Sequence, residues 1–191
     1  VVSEASLSHL LLCAGSVTDW KNTSAEQWRT RLDLVARAAQ GGGAEWATIV
    51  PVMPGHSQDV EAVRALLQDA CGGVRYAHRM VMLSEGGVTV IVDPIADGKQ
   101  RIADAASRIA SSGELTEERL SAAITAPAPN EPDLVIVLGD ATTMPSALVW
   151  ELAYAELVFL DVPWSGLDAE HVEMAINDYT RRDRRFGGVD S

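Results

Sequence analysis

Arg181, Arg182, Arg184 and Arg185 crowd one short stretch of a chain that holds 15 basic and 27 acidic residues and carries a net charge of −12. A chain so acidic repels phosphate backbones and anionic membrane surfaces at long range, which excludes a general nucleic-acid binder. A small anion would need a local basic cluster working against that field, and this stretch is one. The same four arginines would also complement the C-terminal dipole of a helix. Other chemistry finds little support. His9, His56, His78 and His171 are scattered without metal-ligand spacing. No serine stands in a Gly-x-Ser-x-Gly elbow, and Cys13 and Cys71 match neither a zinc nor a CxxC pattern, so both are expected as buried reduced thiols. Gly41 to Gly43 follows a helical pattern where a phosphate loop would follow a strand, and reads as a helix stop.

These residues must be positioned by a fold whose size the composition bounds. The chain has 191 residues, 47% hydrophobic and 22% charged, as in ordinary globular proteins, and its length suits a single domain over residues 1–191. No stretch approaches the ~18 apolar residues of a membrane span. The apolar start, Leu10 to Ala14, is short, is preceded by Glu4 and lacks a basic flank, so it reads as a buried first strand and not as a signal peptide.

Apolar runs alternate with helical patterns. Leu10 to Cys13, Ala47 to Val52, Val74 to Leu83, Val88 to Val92, Leu134 to Leu138 and Leu157 to Leu160 read as strands, with a tight turn at Ser84 to Gly87. A polar loop follows the first strand. A Ser24-x-x-Gln27 capping box opens a helix carrying Trp28, Leu32, Val35 and Ala39. Further helices are expected over about Ser57 to Cys71, from Asp97 and Gly98, after Thr116, over Ala147 to Glu156, and from Asp168 to about Arg182. Strands separated by helices of this length predict an α/β fold with a mostly parallel central sheet flanked by helices.

Four fragments of the last third carry more. Glu131-Pro-Asp-Leu-Val-Ile136, Trp150-Glu-Leu-Ala-Tyr-Ala-Glu-Leu-Val-Phe159, Asp161-Val-Pro-Trp164 and Arg181-Arg-Asp-Arg-Arg-Phe-Gly-Gly188 together resemble the cis-prenyltransferases, the undecaprenyl diphosphate synthase family. Upstream, His9 to Leu12 with Trp20, Gly87 to Val90, and Asp97 to Lys99 fit the family more thinly. The resemblance implies a homodimeric or heteromeric protein and chemistry on isoprenoid diphosphates with Mg²⁺, which prefers hard oxygen ligands, and with arginines gripping phosphate. In this sequence much of that equipment is replaced. The family's Met-Asp-Gly-Asn-Gly-Arg-Trp stands as Ala14 to Trp20, with Gly15 at the metal-binding Asp and Asp19 at the Arg. The family's Arg-Thr-Gly-Gly-Glu-x-Arg-x-Ser stands as Val137 to Pro145, with Val137 and Thr143 at the two arginines. The Phe-Ser-x-Glu-Asn stretch is replaced by Val52 to His56, and the region between Cys71 and Val88, which walls the family's substrate tunnel, is shortened.

What survives is a different subset. By resemblance, Glu156 holds the position that helps bind Mg²⁺, often across the dimer. Arg185, with Gly187 and Gly188, holds the Arg-x-Gly position that reaches a partner's diphosphates. Trp150, Tyr154, Phe159, Trp164 and Arg181 are expected at core or interface positions. The pattern resembles the Nogo-B-receptor type of accessory subunit. It implies no catalytic residues in this chain, a heteromer with a catalytic cis-prenyltransferase homologue, Mg²⁺ bound through the complex, and a cytoplasmic location, peripheral to a membrane only through partner or product. Two other readings remain: a stand-alone Mg²⁺-dependent short-chain prenyl diphosphate enzyme using Glu156 and Asp140, and a homodimeric regulatory pseudoenzyme.

Overall fold

In the computed structural model, which describes residues 7–110, 113–140, 144–153 and 155–181, the apolar runs assemble into one seven-stranded sheet. Strands β1 (His9–Cys13), β2 (Trp46–Val50), β5 (Thr89–Val92), β6 (Leu134–Leu138) and β7 (Glu156–Leu160) are mutually parallel, and β3 (Val74–Tyr76) and β4 (Arg79–Leu83) extend one edge. The spatial order is β3-β4-β5-β2-β1-β6-β7, with β4 antiparallel to both neighbours. Every residue of β1 and β6 is buried, as in the middle of a parallel sheet covered on both faces.

Alternate strand residues serve opposite faces. Leu10, Leu12, Ile49, Val90, Leu134 and Ile136 meet the helices α2 (Ala25–Gly41), α3 (Ser57–Cys71) and α6 (Ala169–Arg181) in the main core. Leu11, Cys13, Val50, Val135 and Val137 form a smaller core with Ala147 and Leu148. Burial pushes the Cys13 thiol up to about 12, so it is inert as a nucleophile. The helices α4 (Gly98–Ala110) and α5 (Glu117–Thr125) pack against each other. Gly98 is required where α4 begins, because a Cβ there would lie 2.5 Å from the Ser146 carbonyl.

Three local expectations are corrected. The polar loop after β1 is a helix, α1 (Val17–Asn22), closed by a Ser16–Asp19 capping box. The run from Val74 to Leu83 is a hairpin, since Ala77 turns the chain at φ 53°. The helix expected over Ala147 to Glu156 is two 3₁₀ turns, Ser146–Leu148 and Glu151–Ala153, and Glu156 opens β7. The physical cause lies in a neighbour: the Ala147 carbonyl, which an α-helix would offer to the Glu151 N–H, accepts Arg101 Nη1 at 2.7 Å instead.

His9 sets an acid limit on this fold. Its Nδ1 lies 2.8 Å from the Asn130 carbonyl, which can only accept, so Nδ1 carries the proton and Nε2 accepts from the Thr48 hydroxyl at 2.8 Å. Burial pulls its pKa down to about 4, against the opposing Asn130 carbonyl and Asp133 carboxylate. The unfolded chain takes up this proton near pH 6.5 while the folded chain refuses it until about pH 4. The contribution is therefore complete above pH 6.5 and lost on descending to pH 4, a change on the order of 3 kcal/mol. Urea midpoints measured across that window should fall for the wild type and fall less steeply for His9→Gln; parallel slopes would refute the assignment.

Candidate functional site

The C-terminal ends of β1, β2, β6 and β7 open on a cavity of about 890 Å³, the place where parallel α/β sheets ordinarily take ligands. Its floor is built by aromatic packing. Trp20 and Trp28 meet edge to face at 5.5 Å between centroids, and Trp164 lies 5.4 Å from Trp28 and 6.2 Å from Trp20. Each indole N–H has a partner: the Ala14 carbonyl for Trp20, the Trp20 carbonyl for Trp28 and the Thr23 hydroxyl for Trp164. Trp164, expected at a core or interface position, is thus spent inside its own chain.

The walls follow from how the strands continue past their ends. The Ala14 N–H reaches the Val50 carbonyl, the Val52 N–H reaches the Gly15 carbonyl at 2.7 Å, and Ser16 bridges Met53. Gly15 sits at φ +63°, and a Cβ there would lie 3.0 Å from Trp164 Cβ. An aspartate at this position would be strained in backbone and would crowd Trp164. Asp19 is exposed, and its Oδ2 is committed to the α1 cap, accepting the Ser16 N–H at 2.8 Å and hydroxyl at 2.6 Å. Val137 is buried in the wall. Among the described residues that line the cavity the charged ones are Asp19, Asp140 and Arg31, and burial lowers the Arg31 pKa from its ordinary value.

A buried ion network stands beside this wall. Asp93 Oδ2 accepts Arg79 Nε at 2.9 Å and His78 Nε2 at 3.2 Å, with Arg101 Nε at 3.2 Å. Arg101 Nη2 pairs with Glu151 at 2.8 Å, and Arg79 binds the Ile124 and Ala126 carbonyls. Burial alone would raise the Asp93 pKa. The His78 hydrogen bond and the Arg101 and Arg79 guanidiniums outweigh it and hold the carboxyl below the usual range. Through Ala147 and Glu151 this network fixes the segment after Pro145, whose Ser146 hydroxyl also reaches the Ala96 carbonyl at 2.8 Å.

The expected site residues separate. Glu156 lies opposite Leu134 at the start of β6, whereas Asp140 follows its end. At about 3.3 Å per residue the two are roughly 20 Å apart, so within one chain they cannot share a cation. Among the described residues no group of three His, Cys, Asp or Glu side chains could hold a metal. With Gly15 lacking a ligand atom and Asp19 Oδ2 committed to the α1 cap, the described lining of this cavity lacks the aspartate with which the family pattern holds Mg²⁺. Trp150 and Phe159 are half-buried, Phe159 on the edge strand β7, and the Trp150 indole donates to Glu131 at 2.9 Å. Arg181 is exposed at the end of α6. Tyr154, Arg185, Gly187 and Gly188 lie outside the described residues. Arg31 and the Asp93 network escaped the sequence reading, although each leaves a signal: Arg31 shares the helical face of Trp28 and Val35, and Asp93 ends an apolar strand. No helix among the described residues is long and apolar enough to cross a membrane.

Comparisons with known proteins agree with this architecture. The model of the family described as "Putative undecaprenyl diphosphate synthase" matches residues 62–187. A ditrans,polycis-undecaprenyl-diphosphate synthase ((2E,6E)-farnesyl-diphosphate specific) of Lactiplantibacillus plantarum is 31% identical over 182 residues, covering 87% of this chain and 69% of the relative. An isoprenyl transferase of Neisseria meningitidis is 34% identical over 103 residues, 53% of this chain and 42% of its own length. In fold, the chain is similar to a probable undecaprenyl diphosphate synthase from Campylobacter jejuni at TM-score 0.63 and 16% identity, covering 95% of this chain and 98% of that one. It is equally similar to lavandulyl diphosphate synthase from Lavandula x intermedia in complex with dimethylallyl diphosphate, at TM-score 0.63 and 14% identity, covering 94% and 98%.

Proposed function

The chain belongs to the undecaprenyl diphosphate synthase family, and from that premise we propose that it works as a non-catalytic subunit of a heteromeric cis-prenyltransferase. Its partner is a full-motif homologue that condenses isopentenyl diphosphate with an allylic diphosphate and holds Mg²⁺. Arg185, with the backbone N–H groups of Gly187 and Gly188, reaches the partner's diphosphates, where charge-assisted hydrogen bonds stabilise the developing negative charge. Glu156, at the end of the sheet remote from this chain's own cavity, serves across the subunit boundary. Trp150 and Phe159 flank that boundary along β7.

The observation that carries the proposal is Gly15. Where the family pattern has its metal-binding aspartate, this chain has a glycine at φ +63° with Trp164 packed against it, so the position offers a metal no side-chain ligand. The cavity also lacks the pattern's arginines, with Asp19 and Val137 in their places.

The isolated protein should incorporate no labelled isopentenyl diphosphate, and Gly15→Asp should gain none while losing stability. Mixed with a full-motif homologue from the same organism, it should raise turnover at least tenfold, and Arg185→Ala should return the rate to that of the homologue alone. Turnover by the isolated chain would establish the stand-alone enzyme instead. A stable homodimer that never alters the homologue's rate would establish the regulatory pseudoenzyme.

A further inference from the structure

Arg31 is 8% exposed, and among the described residues no carboxylate neutralises it. Its guanidinium stands 4.5 Å from the centre of the Trp164 ring and reaches the Thr23 hydroxyl at 3.4 Å. That hydroxyl is already engaged, accepting Trp164 Nε1 at 3.1 Å and donating to the Asp19 carbonyl at 2.8 Å. A guanidinium has five N–H donors, and this one makes a single long bond while lining the cavity. Arg79 and Arg101, more deeply buried, are each matched to a carboxylate and to backbone carbonyl oxygen. The contrast singles out Arg31 as a desolvated charge whose counter-charge is not supplied by its surroundings, a costly state that an entering anion relieves.

The rest of the lining restricts that anion. Val137 and Leu138 are apolar and buried, while Met53 (61% exposed) and Met144 (43% exposed) are the flexible apolar side chains nearest solvent. A hydrocarbon chain lies well against such a surface. Exposed Asp19 and Asp140 disfavour a multiply charged head group, and one guanidinium balances one negative charge. Its planar fork matches the two oxygens of a carboxylate. We propose that the cavity binds an amphiphilic carboxylate, its head group paired with Arg31 and its chain running toward Met53 and Met144. The inference concerns the isolated chain and does not depend on any partner.

Dodecanoate, kept below its micellar concentration, should change the tryptophan fluorescence of the isolated protein saturably and at one site. Dodecanol should bind at least tenfold more weakly, and Arg31→Gln should weaken dodecanoate at least tenfold while leaving dodecanol unchanged. No saturable response to dodecanoate, equal binding of the alcohol, unchanged binding by the Gln variant, or tighter binding of farnesyl diphosphate with Mg²⁺ would each overturn the proposal. If Arg31→Gln fails to fold, Met53→Glu at the exposed rim serves in its place. It should weaken dodecanoate and dodecanol alike, because both place the same hydrocarbon chain there, and unchanged binding of both overturns the proposal.

Discussion

Replacing Asp93 with asparagine is expected to destabilise the protein by about 3–5 kcal/mol, because it leaves buried guanidiniums without their shared counter-charge. Asp93 is 0% exposed and faces Arg79 and Arg101, themselves 3% and 4% exposed. With Glu151 the four charges balance, so removing one carboxylate leaves a net positive charge in the interior. An amide also brings its own N–H donors against donors already crowded there. For a chain of this size the loss corresponds to a fall in Tm on the order of 10 °C. The difference between the two proteins should narrow as pH drops below the ordinary Asp value of about 3.9. The wild type then forfeits the contribution of a carboxyl held ionised by the fold, while the variant has nothing to lose. Pairing Asp93→Leu with Arg79→Met should recover part of the loss, since a matched apolar pair removes the imbalance. A midpoint within about 1 kcal/mol of wild type for Asp93→Asn would show that the network does not hold the fold.

The second large effect lies under the cavity. Trp28 is fully buried and packs on both Trp20 and Trp164, so Trp28→Ala should cost about 3–5 kcal/mol through lost burial and the hole left behind. Trp28→Phe should cost only about 1–2 kcal/mol. The Trp20 carbonyl that loses the indole donor keeps the Thr23 N–H at 3.1 Å, so no buried acceptor is orphaned. Equilibrium denaturation of the two variants separates the contributions. Equal losses would mean that the indole hydrogen bond, and not ring volume, is what α2 depends on. The Ala variant should also weaken dodecanoate, because Trp164 would lose the neighbour that holds it against Arg31.

Both predictions concern residues whose importance comes from what surrounds them. The Asp93 network fixes the segment that carries Ser146 along one wall, and the tryptophan cluster fixes the loop that carries Trp164 along another. The cavity therefore persists without the residues that the family pattern uses to grip diphosphate. Its shape is maintained by packing while its charge has been rewritten.

Most elements were legible because their signals are local. Ser24 and Gln27 announce α2 through a capping box, Thr116 announces α5, and the uninterrupted apolar runs at Leu10 and Leu134 announce strands buried on both faces. The failures share a cause in contacts between distant residues. Nothing in Ala147 to Glu156 forbids an α-helix; Arg101, 46 residues upstream, takes the carbonyl that the helix would need.

Residue types along the chain suffice for the family, the alternation of strands and helices and the substitutions at Gly15, Asp19 and Val137. What those substitutions mean depends on how the chain packs in three dimensions. That packing sets Trp164 against Gly15, places Glu156 and Asp140 at opposite ends of one strand pair, and buries Arg31 without a counter-ion. These are distances and environments, and charge, sterics and desolvation act through space and not along the chain.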